Sequence, residues 1–349
     1  MADIERFGTI DNKADVHIYT LACGNVTARV MDFGATLLSL VMPDQNGNPD
    51  DIVLGFDRLE GYFDNPACYG TTIGPSANRT DRGEVAIAGA LYHMVGNDGP
   101  SLRNNLHTDL ERGIHKRIWD ASPSDDGTSV CFSLELSDGE YGLPGNRLLT
   151  ACYSLVSDES DNVTLKVRYE CSSDAPTFVN MTNHTYWNLA GHASGSVLKQ
   201  IVRVQAQKYL PLRDDNVSLG TVENVTGTPF DFRQPKALGR DIEQDCDQLQ
   251  QARGYDHCFC FPDGAQSEAV LRGCAYDPES GCGLELYTDQ PCVQLYTANF
   301  LKKPDYPGDN LPGRNQSCVG AQIGVCVQTE LLTQDVSHTF LFGHTLSGE

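Results

Sequence analysis

The chain has 349 residues, 40% of them hydrophobic, which is enough for one large β domain with a sizeable core or for two ordinary domains. The 25 basic and 47 acidic residues give a formal net charge of −22, which repels phosphate backbones and anionic lipid. We therefore expect no nucleic-acid or membrane partner, whereas a neutral ligand such as a sugar remains possible.

No apolar run approaches the roughly 18 residues of a membrane span, and residues 1–7 lack a signal pattern. A cytoplasmic protein, monomeric or weakly dimeric, is expected.

Period-two alternation dominates the sequence and predicts half-buried strands, notably at 130–136, 163–169 and 284–295. Turn signals separate these runs, and 33 glycines and 17 prolines leave little room for long helices. The only candidate helix lies at 242–252. The pattern predicts an all-β fold, with a single large antiparallel β-sandwich over 1–349; a two-domain all-β chain is the alternative.

The thirteen cysteines are irregularly spaced and lie largely inside strand-like runs. No Cys-x-x-Cys pair occurs, which argues against a zinc ribbon or a thioredoxin-type site. We expect reduced cysteines that act as small apolar core residues. His107, His184 and His257 are far apart and show no metal-ligand spacing, so no metal site is predicted.

A polar stretch at Asn180–Leu189 is the strongest candidate for a functional segment. It places His184 among amides, hydroxyls and two aromatic rings, and a segment this rich in Asn and Thr is a poor core strand and a poor helix. It could be a hydrogen-bonded turn with a structural histidine. The catalytic interpretation gains weight because other polar clusters could supply partners.

Three further clusters precede or follow that stretch. In Gly74–Gly83, Arg79 could direct two hydrogen bonds onto vicinal hydroxyls or a carboxylate, or could be a solvated turn residue. His107 lies in a turn-rich segment, where a lone histidine is more often structural. Asp256 begins an apolar strand, where it could bind a substrate hydroxyl or cap the local backbone.

The segment Ile323–Glu330 alternates, so that Gln328 and Glu330 face the same way, about 6.5–7 Å apart along a strand. A carboxylate that shares a pocket with an imidazole is sufficient for paired proton transfer. A solvated strand end is the alternative for Glu330. Motifs of serine hydrolases, P-loop proteins and dinucleotide-binding folds are absent from the sequence.

Taken together and in this order, the clusters resemble the aldose 1-epimerase (galactose mutarotase) family. The matching segments are Phe33–Leu37, Asp51–Phe56, Ala77–Arg79, Asn105–His107, Asn183–Leu189, Gly227–Phe232, Gly254–His257 and Gln294–Phe300. No single segment is specific, whereas the ordered set spans nearly the whole chain. The family fold is one large β-sandwich.

The resemblance implies interconversion of the α and β anomers of a hexose such as galactose or glucose, without a cofactor or metal. A glutamate takes the proton from the anomeric hydroxyl while a histidine protonates the ring oxygen, so that neither transfer leaves a full charge on the sugar. Carried over by motif, His184 would be the acid, and His107 and Arg79 would hydrogen-bond the ring oxygen and neighbouring oxygens. Asp256 would hold hydroxyls near C2. Asn78 and Gln294 would line the pocket.

The chain departs from the family pattern at the base. The family strand reads apolar-Cys-Leu-Glu-Thr/Pro-Gln, whereas this chain reads Val325–Glu330 with glutamate and glutamine exchanged. Strict alignment puts Gln328, which cannot act as a base near neutral pH, at the catalytic position. A local bulge or a shift by one residue pair would let Glu330 reach the sugar, and we take Glu330 as the expected base.

Other departures surround the pocket, at Thr108-Asp109 and Pro75-Ser76. They leave two alternatives open: a related enzyme performing another proton-transfer isomerisation or cyclisation on a non-sugar substrate, and a non-catalytic sugar-binding relative.

Overall fold

A computed structural model describes residues 3–11, 13–160 and 162–301, together with the backbone of 330–343. The described residues form 24 strands and two short α-helices, so the all-β prediction is confirmed. The helices are α1 (Glu60–Asp64) and α2 (Asp247–Ala252). The helix predicted over 242–252 is therefore present only in its second half.

The strands range in length from two residues to sixteen. In chain order they are β1 (Asp3–Ile10), β2 (Ala14–Cys23), β3 (Val26–Met31), β4 (Thr36–Pro43), β5 (Pro49–Asp51), β6 (Thr72–Ile73), β7 (Arg79–Thr80), β8 (Glu84–Ile87), β9 (Ala90–His93), β10 (Asn105–Leu106), β11 (Asp120–Pro123), β12 (Ser129–Leu136), β13 (Arg147–Ser157), β14 (Val163–Phe178), β15 (Thr182–Asn183), β16 (Ile201–Val204), β17 (Lys208–Leu210), β18 (Glu223–Asn224), β19 (Lys236–Ala237), β20 (Asp256–Cys260), β21 (Val270–Tyr276), β22 (Gly283–Thr288), β23 (Cys292–Tyr296) and β24 (Glu330–Gly343).

Three sheets carry most of these strands, and their strand pairs are antiparallel. The largest has the order β11-β12-β13-β14-β24-β22-β21-β16-β19, a second has β1 to β5 in sequence order, and a third has β18-β17-β20-β23. The remaining strands form the two-stranded pairs β7/β10, β6/β15 and β8/β9. The long β24 lies between β14 and β22, so it joins the two halves of the nine-stranded sheet.

One apolar core connects the three sheets. Phe132 and Leu149 of the nine-stranded sheet are fully buried in the same cluster as Leu21 of the five-stranded sheet and Phe259 of the four-stranded sheet. The burial of β12 alternates as its sequence predicts, because successive side chains of a strand point to opposite faces. Within the described residues, no helix is both long enough and apolar enough to cross a membrane.

The expectation that every cysteine is reduced is wrong for one pair. Cys131 of β12 and Cys152 of β13 lie directly opposite each other and form a disulfide. Both are half-buried, on the strand face away from the core. Their spacing in the sequence resembles no disulfide framework, and only the register of the two strands brings them together.

Removing this disulfide is expected to lower the free energy of unfolding. The two cysteines are separated by 21 residues, and the loop-entropy relation for a loop of that length gives about 3 kcal/mol. Urea unfolding of Cys131→Ala/Cys152→Ala measures the loss, with Cys274→Ala as a control that removes an isolated thiol. An unchanged unfolding free energy in the double variant would contradict the prediction.

Candidate active site

A cavity of about 490 Å³ collects the polar clusters that the sequence singled out. This volume is within the usual range of small-molecule pockets, about 300–1,000 Å³. Its lining includes six of the predicted site residues: Asn78, Arg79, His107, His184, Asp256 and Gln294. These come from five segments distant in the chain, so the fold brings together what the sequence shows only as an ordered set.

The main chain on both sides of His184 is held by residues 70–71. The amide of His184 donates to the carbonyl of Thr71 at 2.9 Å, and the amide of Gly70 donates to the carbonyl of His184 at 3.0 Å. A side chain at Gly70 is excluded, because its φ is +66° and a Cβ would come within 1.9 Å of the carbonyl oxygen of Leu37. The loop that carries His184 is thus tied to a neighbouring backbone.

The imidazole of His184 is buried at the cavity wall, between the rings of His107 and Tyr186, with ring centroids 5.2 Å away in each case. Its Nδ1 has no hydrogen-bond partner among the described residues. Burial lowers the pKa of His184 to about 3; a backbone hydrogen bond partly opposes this shift, and the charge of His115 adds to it. In these surroundings the imidazole is neutral at pH 7, and the residue lines the cavity.

The backbone orients His107 through its neighbour Asn78. The amide of Asn78 donates to Nδ1 of His107 at 3.1 Å, and the amide of His107 donates to the carbonyl of Asn78, also at 3.1 Å. Since Nδ1 accepts, the neutral ring carries its proton on Nε2 and can donate from there. Burial, followed by the charges of His184 and Arg79, keeps the pKa of His107 well below its usual value. Asn78 and His107 both have positive φ, 62° and 54°, which is unusual outside glycine.

Arg79 has a partner that sequence reasoning missed. Its Nε donates to Oδ2 of Asp98 at 2.8 Å, and its Nη1 lies 3.9 Å from a carboxylate oxygen of Asp256. Asp98 also lines the cavity. Its sequence context, Asn97-Asp98-Gly99-Pro100, is typical of a turn and gives no sign of this pairing. The arginine is therefore held between two carboxylates at the cavity wall.

Replacing Asp98 with asparagine is expected to raise KM by about 3- to 10-fold and to change kcat less. Hydrogen bonds to charged groups contribute about 1.5–3 kcal/mol, and this pair is partly exposed, so a smaller effect of about 0.7–1.4 kcal/mol is expected, which corresponds to that change in KM. Steady-state kinetics measure the split. Asp231→Asn, which weakens the ion pair with Arg233 outside the cavity lining, is the matched control. A kcat loss larger than the KM change would contradict a positioning role.

Asp256 and Gln294 form the sheet side of the cavity. As predicted, Asp256 begins a strand, and Gln294 lies on the adjacent β23, from which its Nε2 donates to Oδ1 of Asp256 at 2.7 Å. Oε1 of Gln294 is buried without a hydrogen-bond partner among the described residues. Burial raises the pKa of Asp256, and the nearby Arg79 opposes this shift. An acceptor on each of these two residues is available to hydroxyl groups.

Several further lining residues were not selected from the sequence. Tyr186 and Tyr296 pack edge to face at 6.0 Å, and Asn216, Phe300 and Leu301 complete this part of the wall. Tyr186 lies inside the Asn180–Leu189 stretch, so that motif could have indicated it. Asn216 comes from a loop with no motif, and only the tertiary structure brings it to the cavity.

Two departures from the family pattern contact each other. Thr108 Oγ1 accepts from the amide of Ser76 at 2.9 Å and donates to the carbonyl of Ser76 at 3.0 Å. Thr108 has a φ of +68°, a conformation that favours glycine. A glycine at this position would adopt the same backbone conformation with less strain. The two hydrogen bonds of the Thr108 hydroxyl connect the segment that contains His107 to the segment that contains Arg79.

The expected base is the part of the site that the structure describes least. Gln328 lies outside the described residues. Glu330 begins β24, and its backbone pairs with Phe178, six residues before His184 in the chain; its side chain is outside the description. The choice between Glu330 and Gln328 therefore stays a prediction.

A sheet-built cavity that holds two imidazoles beside carboxyl, amide and guanidinium groups is typical of an enzyme that moves protons on a hydroxylated small molecule. A profile of the family described as Aldose 1-epimerase matches residues 17–338. The galactose mutarotase of Homo sapiens is 35% identical over 301 residues, which cover 86% of this chain and 81% of that protein. The aldose 1-epimerase of Escherichia coli is 32% identical over 309 residues, covering 88% and 84%.

A galactose 1-epimerase from Lactobacillus acidophilus has the same fold, with a TM-score of 0.81, 24% identity and 98% of each chain covered. The chain belongs to the aldose 1-epimerase family. It is an isomerase that interconverts the anomers of an aldohexose, as the ordered motifs indicated.

Proposed function

We propose that the cavity binds a hexopyranose and that His184 and Glu330 exchange protons with it as acid and base. Glu330 removes the proton from the anomeric hydroxyl while His184 gives a proton to the ring oxygen. The bond between C1 and the ring oxygen breaks, and an open-chain aldehyde forms. Rotation about C1–C2 and the reverse transfers close the ring on the other face. The convergence of the six lining residues on one cavity is the observation that supports this proposal.

To act as the acid, His184 must first be protonated, and burial disfavours its protonated form. With its pKa near 3, His184 is a neutral imidazole at pH 7 in the surroundings described, with one ring proton and not the second that makes it a strong acid. An opposite charge within about 4–6 Å favours the protonated imidazole. The carboxylate that acts as base can supply that charge, so the base has two roles in the proposal: it accepts the hydroxyl proton and it raises the pKa of His184.

The remaining residues hold the sugar. Arg79 and the Nε2–H of His107 can donate to ring and hydroxyl oxygens, whereas Asp256 and Gln294 offer acceptors. Asn78 contributes to the wall and orients His107. This mixture of donors and acceptors suits a neutral, hydroxyl-rich ligand, because each buried polar group then finds a partner.

Galactose is the proposed preferred sugar, with glucose as a second substrate, since relatives such as that of Homo sapiens are named galactose mutarotases. Polarimetry on freshly dissolved α-galactose and α-glucose tests this directly. We expect the optical rotation to reach equilibrium faster with enzyme than in buffer, with a higher kcat/KM for galactose. Calorimetric binding of either sugar without acceleration would instead support a non-catalytic sugar-binding protein.

A cytoplasmic protein that is monomeric or weakly dimeric is also proposed. Sedimentation at several protein concentrations tests the oligomeric state. The Cys131–Cys152 pair tests the compartment, because reducing conditions in the cytoplasm usually keep such pairs as thiols. Alkylation of rapidly quenched cells measures whether the pair is oxidised in the cell: reduced thiols would support a cytoplasmic location, and a disulfide would argue for an oxidising compartment.

A further inference from the structure

Three cysteine sulfurs converge on the face of the four-stranded sheet that also carries Asp256. Cys258 and Cys260 are two residues apart on β20, and Cys292 on β23 lies directly opposite Cys260. The three Sγ atoms all lie within 4.8 Å of one another. Cys258 and Cys292 are buried, and Cys260 is half-buried, so the cluster is enclosed but can be reached from one side.

The strand geometry accounts for the cluster. Alternation puts Cys258 and Cys260 on one face of β20, while Phe259 between them packs into the apolar core. The cross-strand register then adds Cys292 to the same face. The three sulfurs are therefore neighbours on one face, all within 4.8 Å of one another.

We propose that Cys258, Cys260 and Cys292 form a site for one thiophilic metal ion of the zinc or copper(I) class. Three sulfurs bound at about 2.3 Å from a shared ion are separated by about 3.8–4.0 Å, so the cluster needs only small side-chain movements to close around it. Soft thiolate ligands favour these ions over magnesium or calcium. The group holds three ligands from the described residues, which suits trigonal copper(I), or tetrahedral zinc with a water as the fourth ligand.

A cationic residue, Lys208, lies beside the cluster and can compensate the negative charge of the metal site. Three thiolates with a divalent ion carry one net negative charge. Lys208 on β17 pairs with Cys260 across the sheet, which places a cationic residue beside the cluster. The cluster adjoins the proposed sugar site, since Cys258 lies opposite Gln294 across the sheet, but metal binding by the three cysteines can be measured without sugar turnover.

Cadmium titration of the reduced, chelator-treated protein is the direct test, since thiolate–cadmium bonds absorb in the ultraviolet. We expect the band to saturate at one cadmium per chain and to be displaced by zinc or by copper(I). Cys260→Ser should weaken this binding more than about 100-fold, because loss of even an outer-shell partner of a metal ligand typically costs 10–100-fold. Thermal unfolding of each variant checks that the fold is retained.

Two controls separate this cluster from the other thiols. Cys274→Ser removes a half-buried cysteine from the nine-stranded sheet, and Cys131→Ala/Cys152→Ala removes the pair that reduction would release. Both should retain the one-equivalent band. No saturable band, or a band that survives Cys260→Ser and Cys292→Ser, would overturn the proposal and leave the three cysteines as hydrogen-bonded core thiols.

Discussion

Replacing His184 with glutamine is expected to lower kcat by about 10²- to 10⁴-fold, the usual contribution of general acid catalysis. Glutamine keeps a polar, hydrogen-bonding side chain of similar size but cannot deliver a proton to the ring oxygen. Because the backbone on both sides of His184 is held by Gly70 and Thr71, the loop should keep its position. The measurement is polarimetry at saturating galactose, and KM should change much less than kcat.

The exposed His93 offers the matched control, since its side chain is 61% exposed and lies outside the cavity lining. His93→Gln should leave both kinetic constants unchanged. Thermal unfolding and calorimetric galactose binding of His184→Gln then separate lost catalysis from lost structure. If the folded variant binds galactose and keeps more than a tenth of the wild-type kcat, His184 is not the acid.

Glu330→Gln is expected to lower kcat by a similar factor of about 10²–10⁴, whereas Gln328→Ala should cost less than about tenfold. The reason is that the carboxylate of Glu330 can take the anomeric proton near neutral pH, whereas the amide of a glutamine cannot. The swap Gln328→Glu/Glu330→Gln, which restores the family order of the two residues, is the discriminating variant. Activity that returns in the swap would place the base position at 328 and refute the assignment to Glu330.

The same variants make a prediction that does not depend on turnover. If the Glu330 carboxylate faces the imidazole, it raises the pKa of His184 above the value of about 3 that the described surroundings produce, chiefly through burial. An NMR titration of the histidine ring should therefore find a lower pKa in Glu330→Gln than in the wild type. At any given pH, a smaller fraction of His184 would then be protonated in Glu330→Gln than in the wild type. Equal pKa values in the two proteins would show that residue 330 is remote from His184.

Local sequence patterns were sufficient to predict much of the fold. In β12 and β14 the alternation of apolar residues is a property of a single strand, so it can be read without knowing what the strand pairs with. The helix predicted over 242–252 begins only at Asp247, and side chains ahead of it have other partners: Gln244 donates to Asp241, and Asp245 accepts from Gln250.

The candidate site was predictable where its residues stand in recognisable motifs. His184, His107, Arg79 and Asp256 each belong to a segment that matches the family in order, and all four line one cavity. Asp98 was missed because a turn-forming aspartate is common, and its pairing with Arg79 depends on how two loops meet.

The sequence by itself determined which residues face the core and which family the chain belongs to, since both follow from the order of residues along the chain. Only the tertiary structure decided the Arg79–Asp98 ion pair, the Cys131–Cys152 disulfide and the cluster of Cys258, Cys260 and Cys292. Each of these depends on the register between strands or on the approach of distant loops. A shift of one residue would turn every side chain of a strand to the other face, and nothing within a single strand specifies which residue of its neighbour lies opposite.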